Sequence, residues 1–225
     1  MSSPIDFWFS IGSTYTYLSV MRIEDVERRS RIAFRWRPFD VRTIMMEMDN
    51  IPFTNKPSKA RYMWRDVERR AKMYGLPWSG IPPYPIKHLG FANRVALVGA
   101  KEGWCPLFAK ATYRRWFVDG HDPSDESELS GALGEIGQDP TGILARATSD
   151  EIKAELNAQT AAAKELGIFG SPTFATGGEI FWGDDRLADA IEWHLQSSQR
   201  SGAKYFSAQL TNLASVIYAF ARPPN

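Results

Sequence analysis

Ser13 stands where a short aromatic run, Ile5-Asp-Phe-Trp-Phe9, gives way to a stretch with helical spacing. At a strand-to-helix junction, free backbone N–H groups and the positive end of a helix dipole meet. A hydroxyl there can donate to an anion such as a thiolate and stabilise it. The same position suits a plain helix N-cap, and the residues alone leave both roles open. Nothing nearby supplies a histidine base and no G-x-S-x-G elbow is present, so a Ser-His-Asp hydrolase has no support.

Three further groups could carry chemistry. In Gly167-Ile-Phe-Gly-Ser-Pro-Thr173, Pro172 follows glycines and precedes an apolar run. The Ser171–Pro172 bond is therefore a candidate cis bond or an ordinary turn bond. Asp184 and Asp185 stand at a predicted helix start. They can cap it, or one can bind a ligand ammonium while the helix N-terminus receives a carboxylate. Thr54-Asn-Lys-Pro-Ser-Lys59 is a polar, basic loop that can be solvated or can hold a carboxylate.

Other features exclude more than they suggest. Cys105 is the single cysteine, so C-x-x-C redox chemistry and multi-cysteine zinc are ruled out, and its expected role is packing. His88, His121 and His194 show no ligand spacing, and no metal is expected. The 225 residues carry a net charge of +1, against a nucleic-acid partner. No apolar run approaches the roughly 18 residues of a membrane span, and no signal peptide is seen, so the expected setting is cytoplasmic. Arg61 to Lys72 mixes bases with acids and reads as a solvated helix face, and Asp122 to Glu128 as a loop entering a helix.

The elements that must position these groups follow from periodicity. Residues 5–9 read as a strand, about 14–29 as a helix capped by Ser13, and about 32–39 as a strand alternating Phe34 and Trp36 with Arg35 and Arg37. That suggests a right-handed βαβ unit. Residues 42–148 read as helical with one Pro-rich loop: Met63, Val67 and Ala71, then Leu89, Ala92 and Ala96, then Leu129, Leu133 and Ile136 keep helical spacing. Ile152, Leu156, Ala163 and Leu166 form another stripe, stopped by Gly167. Residues 173–175 and 179–182 flank Thr176-Gly-Gly178, a hairpin signature. A helix with Leu187, Ile191 and Leu195 on one face follows. The expected fold is α/β: a thioredoxin-like domain (1–41 and 149–200) split by an all-helical insertion (42–148). Residues 201–225 carry an amphipathic helical stripe, Phe206, Leu210, Leu213, Ile217 and Phe220.

The order of these pieces resembles the 2-hydroxychromene-2-carboxylate isomerase family, relatives of the kappa-class glutathione transferases in the thioredoxin-like superfamily. The matching residues are Asp6-Phe-Trp-Phe-Ser-Ile-Gly-Ser-Thr-Tyr-Thr-Tyr-Leu18, Asn55 to Met63, Trp116-Phe117 with Asp119-Gly120, Gly167 to Phe174, and Phe181-Trp-Gly-Asp-Asp-Arg-Leu187. The chain departs from the family pattern at Ser10, Thr14, Thr16 and Ser171, which replace an acid, a proline, a serine and an often aliphatic residue.

The resemblance implies a glutathione-dependent isomerase acting on a small conjugated aromatic carboxylate, in aromatic compound catabolism. Ser13 would hydrogen-bond the glutathione sulfur. Pro172 would be cis, with the Ser171 backbone pairing the cysteinyl part. Asp184 and Asp185 would hold the γ-glutamyl group, and Asn55 and Lys59 would lie near glutathione and substrate. Lys59 is the expected carboxylate contact. A kappa-like transferase or peroxidase, and a non-enzymatic thioredoxin-fold binding module, are the alternatives. A homodimer is the expected assembly.

Overall fold

A computed structural model describes residues 3–50, 53, 55–88 and 90–201. The expected tail helix, beyond residue 201, lies outside the described residues, as does Leu89. Strand β1 (Ile5–Phe9) leads through α1 (Thr16–Ser30) to β2 (Phe34–Pro38). Seven helices follow: α2 (Val41–Glu47), α3 (Pro57–Met73), α4 (Phe91–Glu102), α5 (Cys105–Phe117), α6 (Glu126–Glu135), α7 (Pro140–Ala147) and α8 (Asp150–Glu165). The chain then returns to the sheet with β3 (Thr173–Thr176) and β4 (Glu179–Trp182). A single 3₁₀ turn, Asp184–Arg186, opens α9 (Leu187–Ser201).

The sheet order is β2-β1-β3-β4, with β1 parallel to β2 and the other neighbours antiparallel. Register places Phe7 opposite both Trp36 and Phe174. Alternation then stacks one aromatic layer. The ring centroids of Phe7 and Phe9, and of Phe7 and Phe174, lie 5.3 Å apart, and Trp36 meets Phe7 edge-on at 4.9 Å. Such pairs add about 0.5–1.5 kcal/mol each beyond burial. Trp8 points the other way, into a smaller cluster with Phe39, Ile44, Ala163 and Ile168. The hairpin turn is made by Gly177 (φ 58°) and Gly178 (φ 81°), the left-handed pair that a two-residue turn of this hand requires.

The architecture is the expected one, a mixed four-stranded sheet interrupted by helices. Met63, Val67 and Ala71 are buried, as are Leu129 and Leu133. Two expectations need correcting. Leu166 is exposed, because α8 ends at Glu165 and the chain turns there through Gly167. The first helix begins at Thr16, two residues late, with Tyr15 at its N-cap position and no side-chain cap. Ser13 does not cap it, because its hydroxyl finds a partner far away in sequence.

Among the described residues, no helix is long and apolar enough to cross a membrane. Asp122 to Asp125 form a turn entering α6, and α3 carries the solvated arginines.

Candidate active site

The loop between β1 and α1 is fastened from three directions. Ser13 Oγ donates to the Ser171 carbonyl at 2.6 Å. Ser171 Oγ accepts from the Ser10 amide at 2.9 Å and lies 2.8 Å from Thr16 Oγ1. The Ser171–Pro172 bond is cis, so the loop before β3 runs against the start of α1. Asn93, fully buried on α4, accepts from the Ile11 amide at 2.7 Å and donates to Ser10 Oγ at 3.0 Å. Tyr113 on α5 donates toward the Ser10 and Ser13 carbonyls, at 3.0 and 3.1 Å. Burial pushes its phenol well above the usual range, so it stays a neutral donor.

This network decides where Ser13 can act. The helical segment contributes Asn93 and Tyr113, and the sheet contributes Ser171. Three of the four departures from the pattern, Ser10, Thr16 and Ser171, are tied into one buried hydrogen-bonded cluster, and the fourth, Thr14, is buried in the same loop and lines the cavity beside it. The sequence reading missed Asn93 and Tyr113. An Asn amid the apolar stripe of α4 was the available signal, since buried amides are kept for hydrogen bonding.

Ser13 opens onto a cavity of about 240 Å³. Its walls are mainly apolar, with Ile11, Val41, Met45, Phe53, Ile86 and Trp182, and Tyr84 adds a hydroxyl. Asp40, Arg42 and Lys59 supply the charges. The Pro-rich loop forms one side. It is held by Trp116 Nε1 donating to the Pro83 carbonyl at 2.8 Å and by the Tyr17 hydroxyl donating to that of Pro77. A second cis bond, Tyr84–Pro85, lies in the same loop. Gly12 has φ 113°, a backbone conformation that favours glycine, and a Cβ there would stand 2.8 Å from Ile86 Cδ1, which would have to move aside.

The remaining sequence candidates divide. Lys59, in the first turn of α3, lines the cavity, and among the described residues no ion pair engages it. Asn55 is exposed in the turn before α3, with φ 55°, and does not line the cavity. Asp184 is 2% exposed and turned inward. Its Oδ1 takes Arg22 Nη2 at 2.6 Å and Ser19 Oγ at 3.1 Å, both from α1, and Arg22 lies 3.6 Å over the Tyr74 ring. Asp185 is exposed beside Arg186 at 3.2 Å. Neither aspartate caps the 3₁₀ turn or α9 with its side chain. Asp184 instead locks α9 to α1.

Cys105 is fully buried and its thiol is pushed up by desolvation, so it is not a nucleophile. Disulfide exchange through a cysteine pair is excluded by the count of one.

Comparison with known proteins shows the family and the fold. The family model of the DSBA-like thioredoxin domain matches residues 4–195. The chain belongs to that family. A 2-hydroxychromene-2-carboxylate isomerase of Sphingobium xenophagum is 29% identical over 197 residues, 87% of this chain and 99% of the relative. Glutathione S-transferase kappa 1 of Caenorhabditis elegans is 24% identical over 213 residues, 84% of this chain and 90% of the relative. The solved structure of a 2-hydroxychromene-2-carboxylate isomerase superposes with a TM-score of 0.77, at 22% identity, covering 89% of this chain and all of that one. The resemblance read from the sequence motifs is thus upheld. In this member of the DSBA-like family the β1–α1 loop is tied by hydroxyls and a buried amide, and the chain has a single cysteine.

Proposed function

We propose that this chain is a glutathione-dependent isomerase of a small conjugated aromatic carboxylate. The observation that carries the reading is Ser13. Its hydroxyl lies at the foot of α1, beside cis-Pro172, on the wall of an apolar cavity that also holds two cations. The names of the relatives at 29% and 25% identity support the reaction and the substrate class.

The residues present fit glutathione at its sulfur end. Ser13 Oγ already spends its hydrogen on an oxygen acceptor at 2.6 Å, the Ser171 carbonyl. A thiolate arriving at that point would compete for the same hydrogen with a full negative charge, and charge-assisted bonds are about twice as strong as neutral ones. The Ser171 backbone would pair with the cysteinyl part. The γ-glutamyl end would meet Asp185, with Asp184 acting from behind through the position of the turn, and Asn55 would approach from the α3 side. Bound glutathione would supply a thiolate that adds reversibly to a conjugated carbon, making a double bond single for rotation, and then leaves unchanged.

The chain's own residues then have three tasks. Ser13 holds the sulfur ionised near neutral pH, against an ordinary thiol pKa of about 8.5. The apolar walls exclude water and align the flat ring. The cations orient the substrate's acid group, Lys59 among them. A cytoplasmic homodimer, with residues 1–41 and 149–200 as one domain and 42–148 as its insertion, completes the proposal.

A kappa-like transferase is the second reading, favoured by the kappa relative. Product analysis with 2-hydroxychromene-2-carboxylate separates the two. Isomerised product with glutathione recovered in full supports the isomerase. Consumption of glutathione supports the transferase. Absence of glutathione binding at millimolar concentration leaves a non-enzymatic binding module.

A further inference from the structure

We propose that Arg42 binds a carboxylate in the Ser13 cavity, the acid group of the organic substrate, with Lys59 as the second cation. This rests on the isomerase reading above. Three charged side chains line the cavity: Asp40, Arg42 and Lys59. Asp40 is occupied at the start of α2, where Oδ1 accepts from the Arg42 amide and Oδ2 from Thr43 Oγ1, each at 3.0 Å. Its carboxylate therefore caps the turn that presents Arg42.

The Arg42 side chain is different. Its Nε is buried and has no hydrogen-bond partner, and among the described residues no ion pair engages the guanidinium. Buried donors nearly always find an acceptor, and a charged one left bare calls for an explanation. A guanidinium presents its Nε–H and an Nη–H as a planar fork that matches the two oxygens of a carboxylate. Arg42 lines the cavity, so a carboxylate bound there is the acceptor assigned to this edge.

The surroundings select what carries the acid. Val41, Met45, Phe53 and Ile86 are apolar and Tyr84 is aromatic, so the group beyond the carboxylate is flat and apolar. Arg42 is close enough to Tyr84 for its charge to pull that phenol downward against the upward push of burial. Lys59 is exposed, with a strongly hydrated ammonium, and is suited to guiding the acid rather than fixing its angle. Nothing in the sequence flagged Arg42, which reads as one more polar residue at a helix start.

Glutathione also carries carboxylates, so the test separates the sources. Binding of 2-naphthoate, its neutral amide 2-naphthamide, glutathione and the glycyl ethyl ester of glutathione is measured by calorimetry. The proteins are wild type, Arg42→Ala and Arg42→Lys. Wild type should prefer naphthoate to naphthamide by about 10- to 100-fold, the range of a charged hydrogen-bonded pair. Arg42→Ala should remove most of that preference, leaving the smaller part that Lys59 supplies, and Arg42→Lys should keep more of it. Unchanged naphthamide binding in each variant certifies the fold. No preference in wild type, or an undiminished preference in Arg42→Ala, overturns the proposal. Loss confined to glutathione over its ester overturns the substrate assignment and moves Arg42 to the glycyl carboxylate. Because the naphthoate and naphthamide titrations contain no glutathione, failure of the glutathione chemistry leaves this readout intact.

Discussion

At single residues, what matters in this site is where the hydroxyl hydrogens are spent. Ser13 gives its hydrogen to Ser171, 158 positions away, and so stands ready to exchange one acceptor for another. Ser13→Ala should lower kcat by about a hundredfold, as the loss of a single preorganised donor does elsewhere, with little change in thermal stability. Steady-state kinetics beside a thermal melt checks both halves. Asn93 touches no substrate in this scheme and acts as a positioning residue. Asn93→Ala leaves the buried Ile11 amide and Ser10 hydroxyl short of a partner and should cost about 2 kcal/mol of stability. It should also raise the apparent pKa of the bound thiol, a readout that general destabilisation would not move.

At the scale of elements, the site is a meeting of loops that the sheet and helices hold in register. Gly12 is where the β1–α1 loop passes under the Pro-rich loop. Gly12→Ala must strain a left-handed backbone and push Ile86, and should cost about 1–3 kcal/mol while weakening substrate binding more than glutathione binding. Denaturant unfolding together with separate titrations of the two ligands tests that split. The buried Arg22–Asp184 pair joins α1 to α9. Removing one partner, as in Asp184→Ala, should cost about 3–5 kcal/mol by leaving the other charge bare, whereas the double change Arg22→Met, Asp184→Leu should recover much of it. If Asp184→Ala instead keeps its melting temperature and only raises KM for glutathione, the pair's structural role is wrong.

These elements also show what the sequence could reveal. Strands came through because aromatic alternation and the Gly177-Gly178 turn are local signals. Pro172 stood out because glycines precede it and a strand follows. Interactions between distant segments left no such trace. Ser13 looks like a cap until Ser171 is known to lie beside it. Asp184 looks like a cap because Arg22 hides among the charges of α1. Asn93, Tyr113 and Arg42 gain their meaning only when the helical segment folds back over the sheet.

For the whole molecule, the pH dependence of stability has a defined sign. His194 is buried on α9 against Thr176, with Nδ1 and Oγ1 2.7 Å apart, and desolvation lowers its pKa below the ordinary value. Below an ordinary histidine pKa of about 6.5 the unfolded chain takes up a proton that the folded chain resists. Stability should therefore fall as pH drops from 7.5 through 6.5 toward the folded pKa. His194→Gln should flatten that slope, and an unchanged slope in melts across this range would remove His194 as its source. Sedimentation of the full chain tests the proposed homodimer.

In the proposed mechanism the whole fold converges on lowering one thiol pKa at Ser13. Calorimetric titration of reduced glutathione at pH 7, in two buffers of different ionisation enthalpy, counts the protons released on binding. Free glutathione, with a thiol pKa of about 8.5, is mostly protonated at pH 7. Net release should approach one proton per site, fall at pH 9.5 where the free thiol is already ionised, and be lost in Ser13→Ala. Binding without proton release, or equal release in Ser13→Ala, would contradict it.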